Sequence, residues 1–332
     1  MIRKIKSIIS KQIKRVAQTH ELDHRIGLLE AKQKIYWQLL ALAHGEKLQL
    51  PETTINEIRQ SQEQKLAKSS YAISPNDLML HFILFDNGGN ISLGLKNYFD
   101  TGLQGAKIKA EIAKAVFGEK KTKGSLTILD FASGYGRVSR YLPQFFAGAK
   151  VFVSDIKPKA VNFQEEQLGV KGFSPGTKSF TDLPELDGSE KFDLITVDSL
   201  FSHLPEQDFA GWLEGLIALL KEDGLLIFST HDPSLSEEAN GEFSYFQNSE
   251  DMLFSEVEDS LGESENYGVT YVSLGYVQKL VENLGFSQSN LVRFPKALWN
   301  GQDEYVFSKK ELPEDLERTK LSKLLTSANR SP

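Results

Sequence analysis

The feature that most constrains the fold is a strand–loop–helix pattern over residues 126–140. Its first four residues are mostly apolar and predict a short buried strand, closed by Asp130. Gly134 and Gly136 follow in a tight loop, and a helix is predicted to begin at Arg137. Glycine is needed where a chain turns sharply or lets a ligand approach its backbone. The pattern therefore indicates a nucleotide-type ligand site at a helix N-terminus.

The spacing of the glycines separates two kinds of nucleotide site. The dinucleotide fingerprint G-x-G-x-x-G requires a third glycine where this chain has Ser139. An acidic residue at the end of the first strand is also foreign to that fingerprint. Asp130, Gly134 and Gly136 resemble instead the D-x-G-x-G-x-G motif of class I S-adenosylmethionine-dependent methyltransferases, with Ala132 in the place of one glycine. Because alanine is the smallest replacement, we expect a slightly tighter fit and a retained site.

The elements predicted further along the chain resemble that family in their order. They are a strand at 149–154, a helix at 158–168, a strand at 169–174, a strand at 192–197, a helix at 207–221, a turn at 222–224, a strand at 225–229, a helix at 276–284 and a final strand at 304–308. The resemblance covers residues 95–310. It implies an α/β fold, a Rossmann-like and mostly parallel seven-stranded sheet with helices on both faces and one reversed strand.

The resemblance also implies the cofactor, S-adenosylmethionine, and its contacts. Asp130 would orient the loop near the methionine ammonium, and Asp155 would accept hydrogen bonds from the ribose hydroxyls. Asp182 would meet the adenine amino group, a role for which Ser174 competes. The other implied contacts are Ala132, Ser133, Gly134, Gly136, Ile156, Asp198 and Ser199.

The acceptor side is less defined. Segments 97–102 and 298–310 resemble bacterial members that act in glycan or lipopolysaccharide pathways, so a small-molecule or glycan acceptor is implied. A hydroxyl acceptor would need a general base, and His203 and His231 follow strands at the ligand-binding edge. For His203 the alternative is a structural, helix-capping role. Asp303 is a weaker candidate for the base, and Arg137 could bind a carboxylate.

Composition narrows the class of protein. The chain has 332 residues, no cysteine and a net charge of −7. Disulfides and thiolate metal sites are thereby excluded, and the scattered histidines suggest no metal site. There is no long apolar run that could cross a membrane and no signal-peptide pattern. We expect a cytoplasmic enzyme that uses no metal.

The N-terminal region is predicted to be helical over residues 1–90 and to form either a cap beside the substrate entrance or an arm for oligomerisation or membrane-surface contact. Apolar residues recur at helical spacing over residues 1–18, opposite a basic face. This helix would lie on the inner membrane face or pack on the protein's own core or on a second subunit of a homodimer. Nucleic-acid binding is not expected, because the basic stretch is short and has no stacking aromatic residues. A break at Pro51 and a second helix at 54–68, capped by Thr53 or Thr54, are also predicted.

The rest of the chain divides into a catalytic domain at 91–310 and a flexible tail at 311–332. The acidic segment 232–268 would form either a lid over the substrate or a solvated surface loop. Two functional alternatives stay open. One is a nicotinamide-dependent oxidoreductase, disfavoured by Ser139; the other is a non-catalytic cofactor-binding or scaffold protein with the same fold.

Overall fold

The computed structural model describes residues 26–62, 71–174, 191–247, 268–314 and 316. Several predictions lie outside these ranges, namely the helix at 1–18, Asp182, the central part of segment 232–268 and the tail from residue 317 onward. Within the described ranges, no helix is both long and apolar enough to cross a membrane.

The chain alternates helices and strands. In order, the elements are α1 (residues 26–42), β1 (Ala43–His44), β2 (Lys47–Leu48), α2 (Glu52–Ser61), α3 (Leu78–Asp86), α4 (Ile91–Thr122), β3 (Thr127–Phe131), α5 (Leu142–Phe145), β4 (Lys150–Ser154), α6 (Pro158–Leu168), β5 (Lys171–Phe173), β6 (Phe192–Val197), α7 (Glu206–Ala218), β7 (Leu220–Thr230), β8 (Phe243–Gln247), β9 (Gly268–Val272), α8 (Leu274–Asn283), β10 (Leu291–Phe294) and β11 (Asp303–Ser308). Alternation of this kind is typical of a parallel sheet covered by helices.

Seven strands form one sheet in the order β10-β11-β7-β6-β3-β4-β5. Strand β11 runs antiparallel to both of its neighbours, whereas the pairs among β7, β6, β3, β4 and β5 are parallel. The predicted Rossmann-like fold with one reversed strand is thereby confirmed. From β3 the chain adds β4 and β5 on one side of the sheet and then β6 and β7 on the other, so the strand order reverses between β3 and β6. Ligands bind at such a switch point, beyond the carboxyl ends of the strands.

The central strands are recognisable in the sequence because helices cover both of their faces. All six residues of β6 are buried, as a continuous apolar run in a parallel sheet should be. The strand was predicted at 192–197 and is found at those residues. Helix α6 likewise matches its predicted range of 158–168.

The helices before residue 90 share a core with the sheet. Leu80 and Leu84 of α3 and Leu95 of α4 belong to the same buried cluster as Ile128 of β3 and Leu194 of β6. The N-terminal helices therefore pack against α4 and share one continuous apolar core with the sheet. The division of the chain at residue 90 stays a prediction.

The helix predicted from Arg137 is wrong. Turns lead into a short 3-10 helix at Ser139–Tyr141, and α5 spans only four residues. Pro143 has no backbone N–H to donate to the carbonyl of Ser139, so an α-helix cannot run through this position from Arg137. Proline is tolerated in the first turn, which is where α5 places it.

Three other boundaries differ from the prediction. Helix α7 ends at Ala218, and the predicted turn at 222–224 lies within β7, where a register shift against β6 accommodates extra residues. Helix α2 ends at Ser61 and has Pro51 at its N-cap, without a side-chain cap from Thr53 or Thr54. Strand β10 was not predicted, because Leu291–Phe294 is too short to give a clear periodicity.

Candidate functional site

A pocket opens at the carboxyl ends of β3 and β6, where the switch point of the sheet lies. Of the residues predicted to contact a cofactor, six line it: Asp130, Ala132, Ser133, Gly134, Asp198 and Ser199. Residues that were not predicted as cofactor contacts also line it, among them Asp77, Met79, Tyr135, Arg137 and Val138. Asp77 and Met79 come from the N-terminal region, which therefore contributes one wall of the pocket.

The loop after β3 has an unusual backbone conformation. Ala132, Gly134 and Gly136 have φ angles of 55°, 55° and 80°, in the left-handed region that favours glycine. Alanine at position 132 is tolerated there at some conformational cost, since its Cβ approaches the following carbonyl. The loop keeps its turn despite the alanine, and Ala132 still lines the pocket.

Helix α6 fixes this loop from behind. Gln164 Nε2 donates to Ser133 Oγ at 2.8 Å and to the carbonyl of Gly134 at 2.7 Å. A Cβ on Gly136 would come within 2.5 Å of Leu168 Cδ1 and 2.7 Å of Gln164 Oε1. An alanine at 136 would therefore have to displace the ends of these two side chains and also adopt an unfavourable φ angle. Sequence reasoning missed Gln164, whose inward direction follows from the docking of α6 on the loop.

Asp155, which follows β4, also binds the loop. Its Oδ2 accepts the N–H of Gly134 at 2.8 Å and its Oδ1 accepts the N–H of Lys157 at 3.0 Å. The adjacent Ile156 side chain is half exposed. Neither Asp155 nor Ile156 lines the pocket itself; both lie at the neighbouring strand end. Their roles at the ribose and adenine stay predictions.

Asp130 is almost fully buried at the base of the pocket. Its Oδ2 accepts from Ser139 Oγ and its Oδ1 accepts from Thr196 Oγ1 at 3.0 Å. Burial is the main cause that raises the pKa of Asp130 to about 7, and the negative charge of Asp198 acts in the same direction. Asp130 therefore titrates in the neutral range, where a nearby positive charge would favour its ionised form.

A buried lysine holds the second carboxylate of the pocket. Lys109 Nζ of α4 lies 2.6 Å from Asp198 Oδ1 and 2.8 Å from Glu304 Oε1 of β11. Burial alone lowers the pKa of Lys109, but the two carboxylates outweigh it, so the pKa is raised and the ammonium stays charged. Burial raises the pKa of Glu304 to about 7. Asp198 Oδ2 is buried and has no hydrogen-bond partner in the described part of the chain.

The two candidate histidines lie together, with ring centroids 6.5 Å apart. His203 Nδ1 lies 2.8 Å from the carbonyl of Gly268, so Nδ1 carries the proton and donates it. Burial, and secondarily His203, lowers the pKa of His231 to about 4. His231 is neutral at pH 7, and its Nε2 lies 3.3 Å from Gln302 Nε2. A catalytic role for either histidine stays a prediction.

Asp303 forms hydrogen bonds with Arg293 and Lys296 and does not line the pocket. Its Oδ2 accepts from Arg293 Nε at 2.6 Å and its Oδ1 accepts the N–H of Lys296 at 2.8 Å. The side chain is fully buried in this arrangement. These contacts close the loop between β10 and β11 and occupy both carboxylate oxygens of Asp303.

Arg137 is the cation that lines the pocket. It is 9% exposed, its Nη1 donates to Thr101 Oγ1 of α4 at 3.0 Å, and its guanidinium carbon lies 3.9 Å from the centre of the Trp299 ring. Segment 97–102, singled out in the sequence, thus contributes Thr101 as the hydrogen-bond acceptor of a pocket residue. Burial lowers the pKa of Arg137, although arginine remains charged at neutral pH.

Residues 103–288, more than half of the chain, match a family model described as a methyltransferase domain. A malonyl-[acyl-carrier protein] O-methyltransferase of Acetivibrio thermocellus is 26% identical over 129 residues. That alignment covers 38% of this chain and 43% of the relative, so the chain spans less than half the length of the relative it matches.

Two solved structures can be compared with the fold. A 1,6-didemethyltoxoflavin-N1-methyltransferase of Burkholderia thailandensis, solved with S-adenosylhomocysteine, has a TM-score of 0.43 at 16% identity, with 76% of this chain and 93% of that chain covered. An O-methyltransferase family 2 protein of Planctomyces limnophilus has a TM-score of 0.44 at 13% identity, with 78% and 66% covered.

Proposed function

The chain belongs to the methyltransferase domain family, and we propose that it transfers a methyl group from S-adenosylmethionine to an oxygen or nitrogen of a small-molecule or glycan acceptor. The observation that carries this proposal is the pocket at the switch point of the sheet. It is lined by the loop that bears Gly134 and by two carboxylates, Asp130 and Asp198. All three lie within the region that matches the family model.

The residues present fit this cofactor. Apart from Gly134 itself and its two chain neighbours, no atom lies within 4 Å of the position that a Cβ on Gly134 would occupy, so the loop backbone is open to a ligand there. Asp198 Oδ2 is a buried acceptor that lacks a donor among the described residues, and such an atom is costly to leave unpaired. The α-ammonium of the cofactor would supply the donor. Asp130 and Asp198 together make the pocket favourable for a cation.

When bound, the cofactor supplies an electrophilic methyl group on a positively charged sulfonium. The chain's own residues bind, orient and exclude water. The loop at 132–136 presents backbone to the ligand, Asp198 accepts hydrogen bonds on the side held by Lys109, and Asp155 keeps the loop in place. His231, neutral at pH 7, is our candidate to accept a proton from a hydroxyl acceptor, with His203 as the second candidate.

The test is isothermal titration of the full chain with S-adenosylmethionine, S-adenosylhomocysteine and NAD. Binding of the two sulfur ligands at micromolar concentration, without binding of NAD, would support the proposal. Absence of binding of either sulfur ligand would contradict it. An acceptor screen that begins with sugars and carboxylate-bearing small molecules then tests turnover, since a scaffold protein with this fold would bind the cofactor and transfer nothing.

Asp155→Asn provides the matched binding variant. The amide keeps the size of the side chain and loses the charge that accepts the N–H groups of Gly134 and Lys157. Charged hydrogen bonds contribute about 1.5–3 kcal/mol, so cofactor affinity should fall by about tenfold or more. Asp208→Asn, in the first turn of α7 away from the pocket, should bind the cofactor as the wild type does.

A further inference from the structure

Helix α1 has apolar residues on two sides. Ile35 and Leu39 are buried and belong to the core that the N-terminal helices share with the sheet. Five large apolar side chains of the same helix are about half exposed, namely Ile26, Leu29, Tyr36, Trp37 and Leu40. Because an α-helix has about 3.6 residues per turn, these five lie within an arc of about 100°, turned away from the buried pair. We call them the outer stripe of α1.

The outer stripe concentrates exposed apolar surface in one place. Among the described residues, eight large apolar side chains are exposed, and five of them belong to this one helix. Single exposed apolar residues are common in soluble proteins, whereas a contiguous patch marks a surface for a partner or a membrane. The five side chains are 45–58% exposed, so nothing in the described part of the chain covers the stripe.

The composition of the stripe fits the boundary between lipid and water. Tyr36 and Trp37 each combine an apolar ring with a hydrogen-bonding group, and such residues are enriched at membrane interfaces. Lys32 and Lys34 lie on either side of the stripe at helical spacing, while Glu30 is the one acidic residue within residues 26–42. Since no helix of the described ranges is long and apolar enough to cross a membrane, α1 would lie along its surface.

The charge of the adjoining sequence is complementary to an anionic surface. Residues 1–20, which lead into α1 and lie outside the described residues, contain six Lys or Arg and no Asp or Glu. The chain as a whole has a net charge of −7. Cations beside an amphipathic helix are attracted to anionic lipids, whereas the acidic remainder of this chain is repelled by them. The two effects together favour one orientation, with α1 toward the lipid.

A second copy of the chain fits the stripe less well. Two outer stripes in contact would bring two sets of these six cations close to each other, and like charges across an interface are unfavourable. Anionic headgroups would neutralise the same cations. The charge pattern therefore favours lipid over a symmetric dimer as the occupant of the stripe.

We propose that the outer stripe of α1 binds the surface of a membrane that contains anionic lipids, with the rings of Tyr36 and Trp37 at the level of the lipid headgroups. This surface is separate from the cofactor pocket, because none of the five residues of the stripe lines that pocket. The inference is therefore independent of the proposed function.

The experiment is co-sedimentation of the full chain with vesicles of phosphatidylcholine alone and of an equal mixture of phosphatidylcholine and phosphatidylglycerol. The wild type should bind the anionic vesicles at least about tenfold more tightly than the neutral ones, and this preference should shrink at high salt. A variant that combines Trp37→Gln and Leu40→Gln should bind the anionic vesicles about tenfold or more weakly, because it removes apolar surface that would be buried in lipid.

Leu235→Gln is the matched control for the loss of an exposed apolar side chain. Leu235 is 38% exposed, compared with 47% for Leu40, and lies outside the outer stripe. Its replacement should leave binding to both kinds of vesicle unchanged. Circular dichroism shows whether each variant keeps the fold, which is expected because the replaced side chains are exposed.

Three outcomes would overturn the inference. The first is equally tight binding of the two kinds of vesicle by the wild type. The second is undiminished binding of anionic vesicles by the double variant, which would assign the binding to the basic segment alone. The third is a wild type that does not bind anionic vesicles. Light scattering then separates the other occupants: a dimer that the double variant makes monomeric identifies a second copy, and a monomer that binds vesicles only after removal of residues 1–18 identifies that segment as the cover.

Discussion

The ammonium of Lys109 lies 2.6 Å from Oδ1 of Asp198, and the lysine side chain is completely buried. Glu304 approaches the same ammonium at 2.8 Å, so one cation joins α4, the end of β6 and β11. The distance between Lys109 Nζ and Glu304 Oε1 is that of an ion pair, although neither Glu304 oxygen has a hydrogen-bond partner among the described residues. The cluster fixes Asp198 at the edge of the pocket and leaves its second oxygen available to a ligand.

We predict that Lys109→Met lowers the free energy of unfolding by about 3–5 kcal/mol, because it leaves two buried carboxylates without their cation. Urea unfolding measures the change. Lys121→Met is the matched control, since Lys121 is partly exposed and pairs with Asp223 at the same distance of 2.6 Å. An exposed pair contributes about 0–1 kcal/mol, so the control should change little.

Addition of Glu304→Gln to Lys109→Met should recover part of the lost stability, because it removes one of the two unpaired charges. Equal losses in Lys109→Met and Lys121→Met would show that the buried cluster is not held by charge.

The two glycines of the loop should differ in their tolerance of alanine. Both have positive φ, so alanine should cost about 1–2 kcal/mol at either position. At Gly136 the new Cβ would also meet Leu168 and Gln164, and overpacking adds about 1–3 kcal/mol. At Gly134 there is no such contact. We therefore predict a larger loss of unfolding free energy for Gly136→Ala and a larger loss of cofactor affinity, relative to stability, for Gly134→Ala.

Thermal or urea unfolding together with titration of S-adenosylhomocysteine separates the two effects. The same loss of stability in both variants would show that the packing of α6 against the loop is looser than the contacts of Gly136 indicate.

The sequence predicted the sheet well because its signal is local. Strand β6 is a continuous apolar run, and α6 has a proline in its first turn and Gly169 at its C-cap in the left-handed conformation. The helix predicted from Arg137 was wrong because Pro143, six residues further on, interrupts a continuous α-helix there. Strand β10 has only four residues, and its pairing with β11 depends on contacts that no local pattern reports.

Of the residues around the pocket, the sequence predicted those that follow strands and not those that α4 contributes. Asp130, Gly134 and Asp198 follow strands, and the ends of parallel strands meet at one edge. Lys109 could not be distinguished from the other lysines of α4, such as Lys107, because its burial results from the docking of α4 onto β6 and β11. The same holds for Thr101, whose partner Arg137 is 36 residues away in the sequence.

His231 should make the protein sensitive to acid. Burial, and then His203, lowers its pKa to about 4, whereas an unfolded histidine has a pKa of about 6.5. Between these values the unfolded chain binds a proton that the folded chain does not, so stability present above pH 6.5 is lost as the pH falls toward 4. We predict that His231→Gln removes on the order of 2 kcal/mol of this pH dependence.

Urea unfolding of the wild type and of His231→Gln between about pH 4 and pH 6.5 gives the slope of unfolding free energy against pH for each protein, and the two slopes are compared. Above about pH 7 the difference in unfolding free energy should be constant, which serves as the internal control. If the wild type and His231→Gln differ by the same unfolding free energy at every pH down to about 4, the pKa of His231 is not lowered in the folded protein.

Asp130 should change the pH dependence of stability in the opposite direction to His231. Its pKa is raised to about 7 mainly by burial, against about 3.9 in an unfolded chain. Between these values the folded chain keeps a proton that the unfolded chain releases, so this contribution to stability is lost as the pH rises from about 4 to 7. Relative to Asp130→Asn, the wild type should lose on the order of a few kcal/mol of unfolding free energy over that range.

The same titration links Asp130 to the ligand. A bound cation beside Asp130 favours its ionised form, so binding of S-adenosylmethionine near pH 7 should release a fraction of a proton. Titrations in buffers of different ionisation enthalpy measure that release, and Asp130→Asn should reduce it. Glu304 has a similarly raised pKa but does not line the pocket, so Glu304→Gln should retain most of the release. If Glu304→Gln abolishes the release and Asp130→Asn does not, the proton comes from the Lys109 cluster, and the protonation of Asp130 does not change when the cofactor binds.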